Sequence, residues 1–194
     1  MKKNYKAILF DWAGVIGSDG YWLWLKANVP NLEQHKQAMH DISVHADRGE
    51  ISGKEFMRQV GALIGRDGDE VLSGFLSLVK IDTEVVRTIR ELRHKFKVGL
   101  LSNFVFEWLD LILKKEDLYS LFDANVISSA HRVVKPGPAA FNKILQMLGV
   151  SAQESLFVDD RQMHVDGATR VGIDGILFES AHKLREDLTR LGVL

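Results

Sequence analysis

Residues 6–16 read KAILFDWAGVI, and this stretch decides how the rest of the chain is read. Ala7, Ile8, Leu9 and Phe10 are apolar without alternation, the pattern of a strand buried on both faces in a parallel sheet. The run stops at Asp11, so the strand delivers a carboxylate to its own carboxyl end, and Gly14 allows a sharp turn just beyond. In open α/β sheets that edge is where ligands bind, which makes Asp11 a candidate catalytic residue. The alternative is that its carboxylate only accepts hydrogen bonds from loop amides.

The same arrangement recurs downstream. Residues 98–101 form a second apolar run ending in Ser102 and Asn103, and residues 124–127 form a third, with Lys135-Pro136 in the loop beyond. Residues 156–158 stop at the acidic pair Asp159-Asp160, and residues 175–178 make a fifth strand. Helical stripes separate these runs: Val85, Val86, Ile89 and Leu92; Phe106, Leu109, Ile112 and Leu113; Phe141, Ile144, Leu145 and Leu148. Pro138 suits a first turn, Gly149 a helix end, and Ser151 with Glu154 a capping box. Alternating strands and helices imply a mostly parallel sheet with helices on both faces, a Rossmann-like α/β fold.

Between the first strand and residue 80 the pattern is helical only. Tyr21, Trp22, Trp24 and Leu25 begin one run, Pro30 breaks it, and a second is expected over residues 32–42. Arg48, Gly49 and Glu50 read as a turn, after which Ser52 and Glu55 match a capping box and Gly65 a helix end. His35, His40 and His45 recur every five residues, a spacing that scatters them around a helix rather than gathering them for a metal. We therefore expect a core formed by residues 1–16 and 81–194 with a small helical cap, residues 17–80, inserted into it.

Composition narrows the function classes. The 194 residues suffice for one substantial core and a small accessory unit, given domains of roughly 100 to 150 residues. With 25 basic and 26 acidic side chains, no electrostatic attraction to nucleic acid or an anionic membrane dominates. Cysteine is absent, which removes disulfides, thiolate metal sites and cysteine nucleophiles. The apolar run after Lys2, Lys3 and Lys6 reaches Asp11 too soon for a secretory signal, and no stretch approaches a membrane span, so a cytoplasmic protein is expected.

The four strand ends or following loops carry Asp11, Ser102-Asn103, Lys135 and Asp159-Asp160. Carboxylates sharing one cleft repel unless a cation neutralises them, and hard oxygen ligands suit Mg2+. A lysine and a hydroxyl beside them suit phosphoryl oxygens. Taken in order, ILFDWAGVI, VGLLSN, VVKPGP and LFVDD resemble the four motifs of the haloacid dehalogenase superfamily, chiefly its phosphatases with a C1-type helical cap after the first strand. The resemblance spans nearly the whole chain. It implies that Asp11 attacks phosphorus to form an aspartyl-phosphate, and that Asp11, the Ala13 carbonyl, Asp160 and Asp159 hold Mg2+. It further implies that Ser102, the Asn103 backbone and Lys135 bind the phosphoryl group of a small phosphorylated metabolite. Asp47, Arg48 or Glu50 is expected near the other end of that substrate, with Arg48 as a binding residue. Trp12 either walls the cleft or is core.

The chain departs from the family pattern at Ala13, where most of these phosphatases carry a second Asp that protonates the leaving group. Loss of such help costs about 10²- to 10⁴-fold. One reading is a substrate with a good leaving group, such as a sugar 1-phosphate, or another acid such as Asp19; KP and DD motifs and a DRGEIS segment are similar to those of the glucose-1-phosphate phosphatase and soluble epoxide hydrolase amino-terminal group. A second follows from DWAG, shared with phosphonoacetaldehyde hydrolase, in which a cap lysine forms a Schiff base; Lys54 is the candidate here. A third is a weakly catalytic module that binds or senses phosphorylated compounds. Dehalogenation fits less well, because the acidic pair points to a metal that such enzymes do not need.

Overall fold

The computed structural model describes residues 3–194. Its sheet has the order β3-β2-β1-β4-β5, with β1 (Ala7–Phe10) in the middle, β2 (Lys97–Ser102) and β3 (Ala124–Ile127) on one side, and β4 (Ser155–Asp159) and β5 (Asp174–Leu177) on the other. Every pairing is parallel. Phe10 lies opposite both Leu100 and Val158, so Asp11 leaves the sheet at the same edge as the ends of β2 and β4. The order of strands reverses at β1, and its carboxyl end is the crevice where such sheets bind ligands.

The unbroken apolar run of β1 has the expected cause. Ile8 and Phe10 face a core built with α5 (Thr83–Leu92), α6 (Phe106–Lys115) and α10 (Ala181–Arg190). Ala7 and Leu9 face the opposite core, built with α8 (Pro138–Leu148) and α9 (Gln162–Arg170). Both faces are therefore covered, and alternation along the strand selects a core rather than solvent.

Between β1 and α5 the chain forms α1 (Gly20–Asn28), α2 (Leu32–Asp47), α3 (Gly53–Ile64) and α4 (Gly68–Leu78). These helices bury a cluster of their own, including Trp24, Leu25, Met39, Phe56, Val60, Val71 and Phe75, which rests on Val105 and Trp108 at the start of α6. The chain enters and leaves this insert through two segments paired side by side: Gly17 bridges Ile81 antiparallel, Ser18 N donates to the Lys80 carbonyl at 2.9 Å, and Asp82 N donates to the Ile16 carbonyl at 2.9 Å.

Several local expectations are corrected. The helix expected over 32–42 continues to Asp47, because buried Ala46 extends the stripe of Met39 by two turns. The helix after β2 buries Leu109, Ile112 and Leu113 as expected, but Phe106 at its start is 40% exposed and Trp108 is buried instead. Ser151 and Glu154 form the expected capping box, at the start of a short 3-10 turn that leads into β4. Trp12 belongs to the core, fully buried, with Gly17 seated so closely on its ring that a Cβ there would lie 2.6 Å from Cζ2.

Phe141 on α8 meets Phe157 on β4 edge to face at 5.5 Å, both fully buried. Phe141→Ala should cost about 3–5 kcal/mol of stability by lost burial and a residual cavity, read as a lower urea midpoint at unchanged slope.

Candidate functional site

Asp11 is held where β1 ends. Its N–H donates to the Val158 carbonyl at 2.9 Å, continuing the ladder one residue past the strand, and its Oδ1 accepts the Trp12 N–H at 2.7 Å. The loop then winds around the Trp12 carbonyl, which accepts the N–H groups of Val15, Ile16 and Gly17. Gly14 sits at φ +80°, and a Cβ on it would lie 2.4 Å from Asp160 Oδ2. Only glycine lets the Asp160 carboxylate close over this loop.

Lys135 lies between the carboxylates. Its Nζ is 2.9 Å from Asp11 Oδ1 and 2.6 Å from Asp159 Oδ2, and its side chain is fully buried. The Asn103 side chain positions the lysine loop from both sides: Oδ1 accepts the Lys135 N–H at 2.8 Å and Nδ2 donates to the Lys135 carbonyl at 3.0 Å. The Ser102 hydroxyl lies near enough to Asp11 to favour its charged form, yet is buried without a hydrogen bond of good geometry. It is a polar group at the strand end with unused capacity to donate.

The charges here are strongly coupled. Burial pushes the Asp11 pKa up; Lys135 opposes this and Asp159 adds to it, with a net upward shift. Burial also works against ionised Asp159, but the hydrogen bond with His164 and the charge of Lys135 outweigh it and hold Asp159 down at about 2. Burial and the neighbouring Asp159 push Asp160 up. One ammonium among three carboxylates leaves an excess of negative charge, and an added cation would ease it.

Ligand atoms of Asp11, Asp159 and His164 lie within 4.8 Å of one another, the one such group of metal-ligating side chains among the described residues. Asp159 is nevertheless well occupied: besides Lys135, it accepts the Arg161 N–H at 2.9 Å and lies 3.1 Å from His164 Nδ1. Asp160 lies over Gly14, and its carboxylate, that of Asp11 and the Ala13 carbonyl would give the oxygen donors that a hard divalent cation prefers. The residues present fit Mg2+.

A cavity of about 170 Å³ opens above Asp11. Its lower wall comes from the sheet edge, with Ala13, Asn103, Arg161 and His164 beside Asp11; its upper wall comes from the helical insert, with Asp19, Asp47 and an aromatic group that includes Tyr21, Trp22 and Phe56. Of the residues singled out in the sequence, Asp11, Ser102, Asn103, Lys135 and Asp159 converge, and Asp160 stands at their rim over Gly14. Arg48 does not join them: it is exposed, 4.0 Å from Glu50 Oε1, and its neighbour Asp47 reaches the cavity wall instead. Lys54 is exposed on the first turn of α3 and does not line the cavity. His45 pairs with Glu50, while His40 lies on the cavity wall, so the histidines do not gather.

Two residues escaped the sequence reading. Arg161 directly follows the acidic pair and faces the cavity, and His164 on the first turn of α9 braces Asp159. The signal for His164 was its place one helical turn after a strand-end carboxylate, which becomes meaningful only once the helix start is known.

Comparison with known proteins agrees with this geometry. The haloacid dehalogenase-like hydrolase family model matches residues 5–172. Flavin mononucleotide hydrolase 1 of Arabidopsis thaliana is 26% identical over 200 residues, covering 99% of this chain and 80% of that protein. D-ribitol-5-phosphate phosphatase of Bacteroides thetaiotaomicron is 26% identical over 199 residues, covering 95% and 97%. Among solved structures, a HAD family enzyme of Bacteroides thetaiotaomicron in complex with magnesium and inorganic phosphate superimposes with a TM-score of 0.75 at 22% identity, covering 90% of this chain and 94% of that one. The match over residues 5–172, together with a strand-end aspartate clamped to a buried lysine, places this chain in the haloacid dehalogenase-like hydrolase family.

Proposed function

We propose that the protein is a Mg2+-dependent phosphomonoester hydrolase acting on a small phosphorylated metabolite. The observation that carries this reading is the convergence of Asp11, Ser102 and Lys135 at one sheet edge, a nucleophile beside two donors to phosphoryl oxygens. Relatives named as a flavin mononucleotide hydrolase and a D-ribitol-5-phosphate phosphatase, and a structural neighbour bound to magnesium and phosphate, support it.

Asp11 Oδ attacks phosphorus in line with the leaving oxygen, forming an aspartyl-phosphate that water then opens to inorganic phosphate. Ser102 Oγ–H, the Asn103 N–H and Lys135 Nζ stabilise the phosphoryl oxygens as charge shifts among them. Asp159 holds Lys135 at the height of Asp11, and His164 and the Arg161 N–H hold Asp159. Asp11, Asp160 and the Ala13 carbonyl are the ligands we assign to Mg2+, which supplies a Lewis acid that neutralises phosphoryl charge.

Residues 17–80 act in this reading as a cap that closes over the cleft about the paired segments 16–18 and 80–82 and excludes water from the attack. The metabolite's remaining groups meet the aromatic and acidic wall of the cap. A sugar 1-phosphate fits the absence of an acid at Ala13, because its anomeric oxygen departs with little protonation. Lys54, exposed and outside the cavity lining, gives no support to the Schiff-base route.

Phosphate release should be measured with Mg2+ across sugar 1-phosphates, sugar-alcohol 5-phosphates, FMN and acyl phosphates. Wild type should turn over members of this set and Asp11→Asn none of them. Binding of phosphorylated compounds without any turnover would identify a sensing module instead. Chelation by EDTA should abolish release and added Mg2+ restore it; full activity in EDTA would remove the metal from the reaction. Lys135→Met should lower kcat by at least about 10²-fold, as loss of an electrostatic donor does, and equal activity would overturn its role.

A further inference from the structure

Ala13 leaves the leaving-group oxygen without a proton donor from the loop after β1. The cavity offers a carboxylate on the opposite wall. Asp47 ends α2, lines the same cavity as Asp11 and Ala13, and accepts no side-chain hydrogen bond among the described residues. Asp19 shares the cavity wall but caps α1 by accepting the Trp22 N–H at 3.2 Å, and Glu50 pairs with His45 outside the cavity lining. The position of Asp47 is fixed by the turn that follows it. Gly49 has φ +67°, and a Cβ there would lie 2.2 Å from the carbonyl oxygen of Ser129 in α7 (Ser128–His131). Only glycine allows the end of α2 to seat this closely on the core, where it holds Asp47 over the cleft.

We propose that Asp47 is the catalytic acid and base of this site, taking over from the cap the task that Ala13 cannot perform. This rests on the phosphomonoester reading above. As the Asp11 Oδ–P bond forms and the P–O bond to the leaving group breaks, the Asp47 carboxylic acid gives its proton to the departing oxygen. The Asp47 carboxylate then takes a proton from the water that attacks phosphorus. The bond between phosphorus and Asp11 Oδ breaks, freeing inorganic phosphate and restoring the Asp11 carboxylate and the Asp47 acid.

The surroundings suit a group that must both give and take a proton. Burial pushes the Asp47 pKa up to about 7; the Arg161 and Lys135 charges facing it pull the other way, and Asp11 and Asp19 add to the rise. The protonated form therefore persists to near neutral pH and is lost above it, where a donor to a poor leaving group fails first.

The test compares Asp47→Asn with wild type on two esters: p-nitrophenyl phosphate, whose leaving group needs little protonation, and the best alkyl phosphate of the panel. Here kcat/KM reports formation of the aspartyl-phosphate and kcat can be set by its hydrolysis. Asp47→Asn should lower kcat/KM for the alkyl ester by about 10²- to 10⁴-fold and that for p-nitrophenyl phosphate by less than about threefold. It should also convert p-nitrophenolate release into a burst of about one equivalent per enzyme, because water attack on the intermediate loses its base. The fall in alkyl-ester kcat/KM above about pH 7 in wild type should be absent from the variant. An equal loss on both esters without a burst would make Asp47 a binding residue and overturn the proposal, as would no loss on either. Phosphate release that survives Asp11→Asn would instead overturn the nucleophile assignment, and the proton route with it. Unchanged thermal unfolding of Asp47→Asn separates these outcomes from misfolding.

Discussion

The constraint on which this structure depends is the buried ammonium of Lys135. A fully buried lysine is costly unless carboxylates face it closely, and two do, at 2.9 and 2.6 Å. Those carboxylates sit at the ends of adjacent strands, β1 and β4, while the lysine arrives on the loop that follows β3 and α7. Asn103, just past β2, holds the lysine's backbone from both sides. The ion pair can form only if β2, β1 and β4 are neighbours in register, so sheet order and active-site charge are one requirement. A slip of β1 by one residue would exchange its two faces and carry Asp11 away from the lysine.

This also explains the division of labour among the acidic residues. Asp159 is stabilised as an anion by the lysine, His164 and the Arg161 N–H, which makes it a rigid support. Asp11 shares the lysine but is driven upward by burial and by Asp159, so it is the less contented anion. A carboxylate destabilised in its charged form beside a cation site is a better nucleophile toward phosphorus once the cation relieves the repulsion. In the proposed reaction the acidic excess at the sheet edge would serve both metal affinity and reactivity.

How much of this was legible before the structure depended on whether the signal was local. A parallel strand buried on both faces reads as an unbroken apolar run, and the carboxylate ending it is in plain sight, so Asp11, Ser102, Asn103, Lys135 and the acidic pair could be named from order and spacing. Arg161 and His164 could not, because their roles depend on where α9 starts relative to β4. The end of α2 was not legible because the apolar stripe stops at Ile42 in the sequence, which left no way to choose among Asp47, Arg48 and Glu50 at the substrate's far end. Ala46 continues that stripe against the rest of the insert, and the added turn is what brings Asp47 rather than Arg48 to the cavity. Trp12 and Phe106 show the same limit: a large apolar residue states that something is buried near it, but only packing decides whether it is itself.

Placing the acid on the cap rather than on the loop after β1 changes how chemistry and motion are coupled. A donor on that loop stands beside the leaving group whether the cap is open or closed. A donor on α2 is in place only while the insert is seated on Ser129 through Gly49, so protonation of the leaving group requires the closed state. On this proposal, water entering an open site lacks the Asp47 base, and an aspartyl-phosphate exposed in that state is protected by the absence of its activator rather than by exclusion alone. Substrates able to draw the cap shut against its aromatic wall are thereby selected in the chemical step as well as in binding, because closure assembles the proton relay. On this proposal, the acid missing at position 13 is supplied by the element that would recognise the substrate.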